Sequence, residues 1–324
     1  MRRREVLIAW AVLATPSASL AQQKLPVIGF LSSRSEAESE PHLRAFEAGL
    51  REAGYVGGQN VALEHRWASG HYERLSDLAS ELVSERVQVI AATGGNVSAL
   101  AAKSATSTIP VVFIVGADPV ALGLVASLHQ PGSNATGMSV LTTDLGRKRL
   151  ELLDALVPQA ATFGLLINPK YQGAAEEAQA VEAEALRRGK RLLILAAQND
   201  AEIEAALTSL NERRVDALLV DADALFVSRR ERLVAAVNER GIPAIYDLRE
   251  FVEAGGLMSY GTSLLEAYRQ VGITTGRILK GETPAALPVQ QAVKFELAIN
   301  LKTAKALNLT IPPTVLAGAD EVIE

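Results

Sequence analysis

The stretch of this sequence best suited to chemistry is residues 90–102, IAATGGNVSALAA. An apolar run ends in Thr93, Gly94, Gly95 and Asn96, and an alanine-rich, helix-forming stretch follows. A glycine pair between strand and helix lets the backbone come close to an anion. Free N–H groups and the dipole of a helix N-terminus favour negative charge there. The turn lacks the GxGxxG spacing of a dinucleotide site, and the chain has no GxxxxGK[ST] phosphate loop. Two readings of the turn stand: a short anion-receptive cradle for another ligand, or a plain tight turn.

Signatures of catalysis and metal binding are missing. The four histidines, His42, His65, His71 and His129, are not spaced i, i+4, and no HExxH occurs, so a zinc site has no support. GMSVL at 137–141 lacks the second glycine of a GxSxG nucleophile elbow. The chain has no cysteine, which excludes disulfides, thiol chemistry and a lipid-modified Cys. It reads as a non-enzyme with no cofactor and no metal.

What the sequence does carry is polar residues at strand ends. In open α/β sheets, ligands bind outside the carboxyl ends of the strands. Asp118, Asp221, Asp223 and Asp247 stand there. Such residues also suit a helix cap, Asp118 above all, since Pro119 follows it, while for Asp221 and Asp223 the plain alternative is loop solvation. Asp221 and Asp223 together would suit a ligand ammonium or hydroxyl. Ser32, Ser33, Thr93, Asn96, Asn168 and Tyr260 are further strand-end donors and acceptors. Tyr171, Tyr246 and Tyr260 offer flat apolar faces with polar tips, or simple core packing.

These positions depend on the elements around them. Strands are expected at 27–31, 61–68, 87–93, 110–116 and 135–140, with helices at 40–53, 72–84 and from about 97. A second series has strands at 163–168, 191–197, 217–222, 243–247 and 257–261, with helices at 145–157, 174–188, 200–213 and 228–240. Two βαβ series imply two parallel sheets covered by helices. A helix at 264–279, a polar segment at 287–297 and a short helix near 300–308 remain. This tail can return to the first lobe and cross again, giving a three-segment hinge near 139–144, 260–264 and 285–290. The expected division is lobe one at 22–141 plus 262–286, and lobe two at 142–261 plus 287–324.

The chain has 324 residues, 48% of them hydrophobic, and a net charge of −5. The acidic balance argues against nucleic acid as a partner. Arg2, Arg3 and Arg4 precede a short apolar run, and Ser19-Leu20-Ala21 puts small residues at −3 and −1. This predicts a signal peptide, residues 1–21, cleaved near Ala21. An exported chain without disulfides fits a bacterial periplasm.

RWASGHYERLSDLASELVSERVQVIAATGG (66–95), ATSTIPVVFIVGADPVALGLVASLHQPGSNATGMS (105–139), GGLMSYGTSLLEAYRQVGITTGRILKGETPAALPV (255–289) and INLKTAKALNLTIPPTVLAGADEVIE (299–324) resemble the substrate-binding proteins of ABC transporters, in the tryptophan-binding-protein-like branch. The resemblance implies a type I periplasmic-binding fold: α/β, with two Rossmann-like lobes joined by a three-segment hinge and a small-molecule solute held in the cleft. It implies a monomer that delivers the solute to an inner-membrane ABC permease with a cytoplasmic ATPase. It implies that Ser32, Ser33, Thr93, Gly94, Gly95, Asn96 and the turn from Gly116 to Asp118 line the cleft from lobe one. Asn168, Tyr171, Asp221, Asp223, Tyr246 and Tyr260 would line it from lobe two or the hinge. Many relatives carry a Thr-Asp-Asn-like turn where this chain has Asp221-Ala222-Asp223. A periplasmic sensing subunit for a membrane receptor is the alternative function, and a two-lobed enzyme a weaker one.

Overall fold

The computed structural model describes residues 25–140, 145–171, 173–292 and 294–324. The expected signal peptide lies outside the described residues. The first lobe contains β1 (Val27–Ser32), α1 (Glu36–Glu52), β2 (Ala62–Trp67), α2 (Leu75–Ser84), β3 (Val89–Thr93), α3 (Asn96–Ala105), β4 (Val111–Val115) and β5 (Ala135–Ser139). The second contains α4 (Gly146–Leu156), β6 (Thr162–Ile167), α5 (Ala174–Arg187), β7 (Arg191–Ala196), α6 (Asp200–Glu212) and β8 (Ala217–Val220). It continues through α7 (Ala224–Ser228), α8 (Arg230–Glu239), β9 (Ala244–Tyr246), α9 (Arg249–Glu253) and β10 (Met258–Thr262). Then α10 (Leu264–Leu279) and β11 (Gln290–Gln291) return to the first lobe. β12 (Phe295–Asn300), α11 (Leu301–Ala306), α12 (Pro313–Leu316) and β13 (Glu321–Ile323) belong to the second.

Among the described residues the strands form two sheets, ordered β11-β5-β4-β3-β1-β2 and β13-β12-β10-β9-β8-β6-β7. Pairing is parallel except between β10 and β12. Strand residues alternate between faces, and the cores follow that alternation. Ile90, Ala92, Val111 and Phe113 pack under one face of the first sheet, while Val89, Ala91, Val112 and Ile114 pack under the other. With helices on both faces, the central strands are buried throughout, so their sequences are continuous apolar runs.

Three local expectations change. Helix α1 starts at Glu36 rather than 40, because Ser35 and Glu38 form a capping box that satisfies its first free N–H groups. Pro41 sits inside it. The helix expected at 228–240 is α8, which begins at Arg230, and a separate short helix, α7, ends just before it at Ser228. The polar segment 287–297 contains β11 and the start of β12.

The chain passes between the sheets three times: after Val140, at Thr262–Ser263, and between Ala292 and Phe295. The Thr262 hydroxyl donates to the Val140 carbonyl at 2.5 Å. The Ser263 N–H donates to the Lys294 carbonyl at 3.2 Å, so the passages lie side by side. The expected third crossing at 285–290, and the boundary at 287, move toward the C-terminus. Leu287 accepts the Thr136 hydroxyl at 2.7 Å, the Val289 N–H donates to Leu128, and β11 pairs with β5. Those bonds keep 287–291 on the first sheet. Of the expected segment 139–144, residues 141–144 lie outside the described residues.

Candidate ligand cleft

A cavity of ≈ 70 Å³ lies between the lobes, at the carboxyl ends of both sheets. On the first-lobe side, β3 ends at Thr93, and Gly94 (φ 86°) and Gly95 (φ 103°) turn the chain into α3. A Cβ on Gly94 would lie 2.7–2.8 Å from Ser33 Oγ, Ser32 Oγ and the Ser33 nitrogen. Both serines are therefore packed against this turn rather than free for a ligand. The Ser33 hydroxyl donates to the Gly94 carbonyl at 2.5 Å, and Ser32 Oγ accepts the Arg34 N–H at 3.2 Å. Asn96 Oδ1 accepts the N–H groups of Gly116 (2.9 Å) and Ala117 (3.3 Å), tying the ends of β3 and β4 together.

On the second-lobe side, β8 runs into Asp221-Ala222-Asp223 and β9 into Asp247. Asp223 caps α7 by accepting the Leu225 N–H at 2.9 Å, and it also accepts from Asn168 Nδ2 at 3.1 Å. Burial pushes its carboxyl up to about 6, against the bonds from Asn168, Leu225 and Tyr72. Burial pushes Asp247 to about 7, against Arg149 and Arg34. Asp247 Oδ1 has no hydrogen-bond partner among the described residues. Tyr268, a side chain of α10 that is 1% exposed, also lines the cavity.

The lobes touch across the cleft. The Tyr72 hydroxyl donates to Asp223 Oδ2 at 3.0 Å and accepts the Leu225 N–H at 3.1 Å. Arg34 donates to both oxygens of Glu250 at 3.0 Å, and His42 Nε2 lies 3.1 Å from Glu250 Oε1. Burial opposes the Glu250 charge, yet Arg34 and His42 overcome it and hold the carboxyl at about 2. Arg230 and Glu38 form a further pair at 3.3 Å.

Beside the cleft, within the second lobe, Arg149 on α4 pairs with Glu177 on α5 and lies 3.8 Å from Asp221. All three side chains are 1% exposed. Burial raises both carboxyls, with Arg149 pulling the other way.

Of the expected site residues, Gly94, Gly95, Gly116, Tyr171 and Asp223 line the cavity. Ser32, Ser33, Thr93, Asn96 and Asn168 lie behind it as supports for the turns. Asp221 belongs to the Arg149 cluster. Asp118 is exposed and accepts the Val120 N–H at 2.9 Å, the capping-type role open to it. Tyr246 is not at the cleft: the β9 alternation turns it into the core, stacked on Phe251 at 4.7 Å. Tyr260 packs at β10 beside Phe295, 6.3 Å away. Sequence reasoning placed Asp247 at a strand end without assigning it to the cleft, and missed Arg34, Tyr72 and Tyr268 as cavity walls. Arg34 and Asp247 carried a usable signal, the strand-end position. Tyr72 and Tyr268 had none, since only the fold brings them to the cleft.

A family model described as ABC transporter substrate binding protein matches residues 26–323. The tyrosine-binding protein of Clostridioides difficile (strain R20291) is 29% identical over 267 residues, 82% of this chain and 76% of that protein. A solved ABC domain in complex with L-Trp from Streptococcus pneumonia has a TM-score of 0.83 and 27% identity, covering 92% of this chain and 100% of that one. A ligand-free, open substrate-binding protein from Clostridium difficile has a TM-score of 0.67 and 26% identity, covering 92% and 99%. Identity is nearly equal for the two. The lower score against the open structure fits the contacts that join the lobes here.

Proposed function

The chain belongs to the ABC transporter substrate-binding protein family, and from that premise we propose that it captures a small zwitterionic solute of the aromatic amino-acid type between its lobes. Its matched relatives are substrate-binding proteins rather than enzymes. The observation that carries the reading is the division of charge at the cavity. One wall holds the N-terminal turn of α3, whose first N–H groups have no acceptor within the helix. The other wall holds the buried carboxyls of Asp223 and Asp247. A carboxylate would sit at the Gly94–Gly95 turn, and an ammonium would take the acceptors of the second lobe. Tyr171, Tyr268, Ile114 and Leu264 would enclose an apolar body. A tyrosine-binding relative and an L-Trp-bound one support that choice.

In this reading the chain is exported to the periplasm, and the solute selects the closed arrangement of the lobes. The closed monomer then docks on a membrane permease driven by a cytoplasmic ATPase. Calorimetry and thermal-shift measurement across L-amino acids test the binding step. L-tyrosine and L-tryptophan should stabilise the protein more than the matching amine or the matching acid alone. If no amino acid or aromatic acid stabilises it, the reading is wrong.

A further inference from the structure

Three carboxyls stand at strand ends of the second lobe, and their partners differ. Asp221 accepts the Ala222 N–H at 2.6 Å and lies 3.8 Å from Arg149. Asp223 has both oxygens engaged, Oδ1 by Asn168 and Leu225 and Oδ2 by Tyr72. Asp247 follows β9 directly, and alternation turns it away from the core side that Tyr246 takes, into the cavity wall. It is 2% exposed, yet among the described residues its carboxyl receives no hydrogen bond and makes no ion pair. Charges face it from four elements. Arg34 after β1 and Arg149 on α4 attract it, while Asp221 after β8 and Glu250 on α9 repel it. Both cations are already paired, Arg34 with Glu250 and Arg149 with Glu177. Asp223, Tyr72, Tyr171 and Tyr268 complete the titratable lining of the cavity.

A buried carboxyl without a donor is costly, and such groups gather where something binds. We propose that Asp247 is the ammonium acceptor of the cleft and sets its preference for an amino acid over the same acid without its amine. This deepens the amino-acid reading above, on which it rests, and narrows two acidic walls to one. An ammonium brings both the donors and the positive charge that Asp247 lacks. Burial holds the carboxyl at about 7 in the empty protein, so near neutral pH it is partly protonated. A bound ammonium favours the carboxylate, and the carboxyl proton passes to solvent as the solute enters. Amino-acid affinity therefore rises as pH rises through about 7, and falls below it as protonation competes with the amine.

The probes are L-tryptophan and indole-3-propionate, its counterpart without the amine, measured by calorimetry. L-tryptophan should bind wild-type protein about tenfold or more tightly than the acid, and weaken about tenfold from about pH 8 to about pH 6. At pH 7 it should release about half a proton, read from the heats in two buffers of different ionisation enthalpy. Indole-3-propionate should release none. Asp247→Asn keeps the shape and removes the charge. In it the tryptophan advantage and the proton release should vanish, while indole-3-propionate still binds and shows the cleft intact. Asp223→Asn disturbs the contact with Tyr72 and should weaken both ligands by a similar factor, leaving their ratio. The proposal is overturned if Asp247→Asn keeps the ratio or the proton release, or if Asp223→Asn is the variant that erases them. Tryptophan capture, and the reading of the cleft, would then stand. Binding of the acid without tryptophan overturns the role of Asp247 alone. If neither these ligands nor any other amino acid or aromatic acid binds, the reading falls and the role of Asp247 with it.

Discussion

The Tyr72 hydroxyl, carried by the first lobe, donates to the Asp223 carboxylate of the second at 3.0 Å. The same oxygen accepts the Leu225 N–H at 3.1 Å. One phenol thus joins the lobes, caps part of α7 and steadies an acidic cavity wall. Burial, then the neighbouring Asp223 charge, drives its pKa above the ordinary tyrosine value, so it remains a donor at neutral pH.

Tyr72→Phe keeps the ring and removes that bond. A hydrogen bond to a charged group contributes about 1.5–3 kcal/mol, and this one exists only while the lobes touch. In the proposed mechanism the loss therefore falls on closure. Solute affinity should drop roughly tenfold or more in calorimetry. An unchanged affinity would mean the bond forms without bearing on the bound state.

The pH dependence of stability should carry the mark of Asp247. Its carboxyl moves from 3.8 to about 7 on burial. Between those values the folded state holds a proton that the unfolded chain has released. The stabilisation is thus complete below about pH 4 and is lost as pH rises through about 7. Asp223, raised to about 6, acts with the same sign. Glu250, held at about 2, acts oppositely: its contribution is present above its ordinary 4.5 and lost as pH falls toward 2. Denaturant titrations of ligand-free protein should show Asp247→Asn flattening the decline between pH 4 and 7. One proton corresponds to about 1.4 kcal/mol per pH unit. If the variant keeps the full slope, another group is its source.

The two glycines of the α3 turn should respond differently to substitution. Both hold positive φ, at roughly 1–3 kcal/mol for any other residue. A Cβ on Gly94 also collides with Ser32 and Ser33, whereas one on Gly95 meets nothing within 4 Å. Gly94→Ala should lower the denaturation midpoint well beyond Gly95→Ala. Gly95→Val, placing a branched side chain at the cavity, should instead weaken solute binding. Binding by Gly95→Val equal to wild type would remove this turn from the site.

Arg149 is the only cation paired with the buried Glu177 and Asp221 among the described residues. Arg149→Met leaves those carboxyls uncompensated and should cost about 3–5 kcal/mol in urea denaturation. Adding Glu177→Gln should restore part of that loss, because the stranded charge rather than the missing side-chain volume causes it. No recovery in the double variant would point to packing instead.

Sequence alone determined the two series of strands and helices, since continuous apolar runs and helical spacing reflect burial that each segment needs wherever it lies. The Gly94–Gly95 turn was legible for a similar reason: the backbone there requires glycine. Tertiary structure decided which strand-end residues meet a ligand. Thr93 and Asn96 look alike at a strand end, but strand alternation and the packing of β3 on β4 turn both away from the cavity. Tyr72 and Tyr268 sit on helical segments with nothing to mark them. Glu250 becomes an interlobe contact only because the fold brings α9 against Arg34 and His42. Local pattern records which residues must be buried, whereas the partner each one meets across a cleft or hinge depends on three-dimensional proximity that no spacing along the chain encodes.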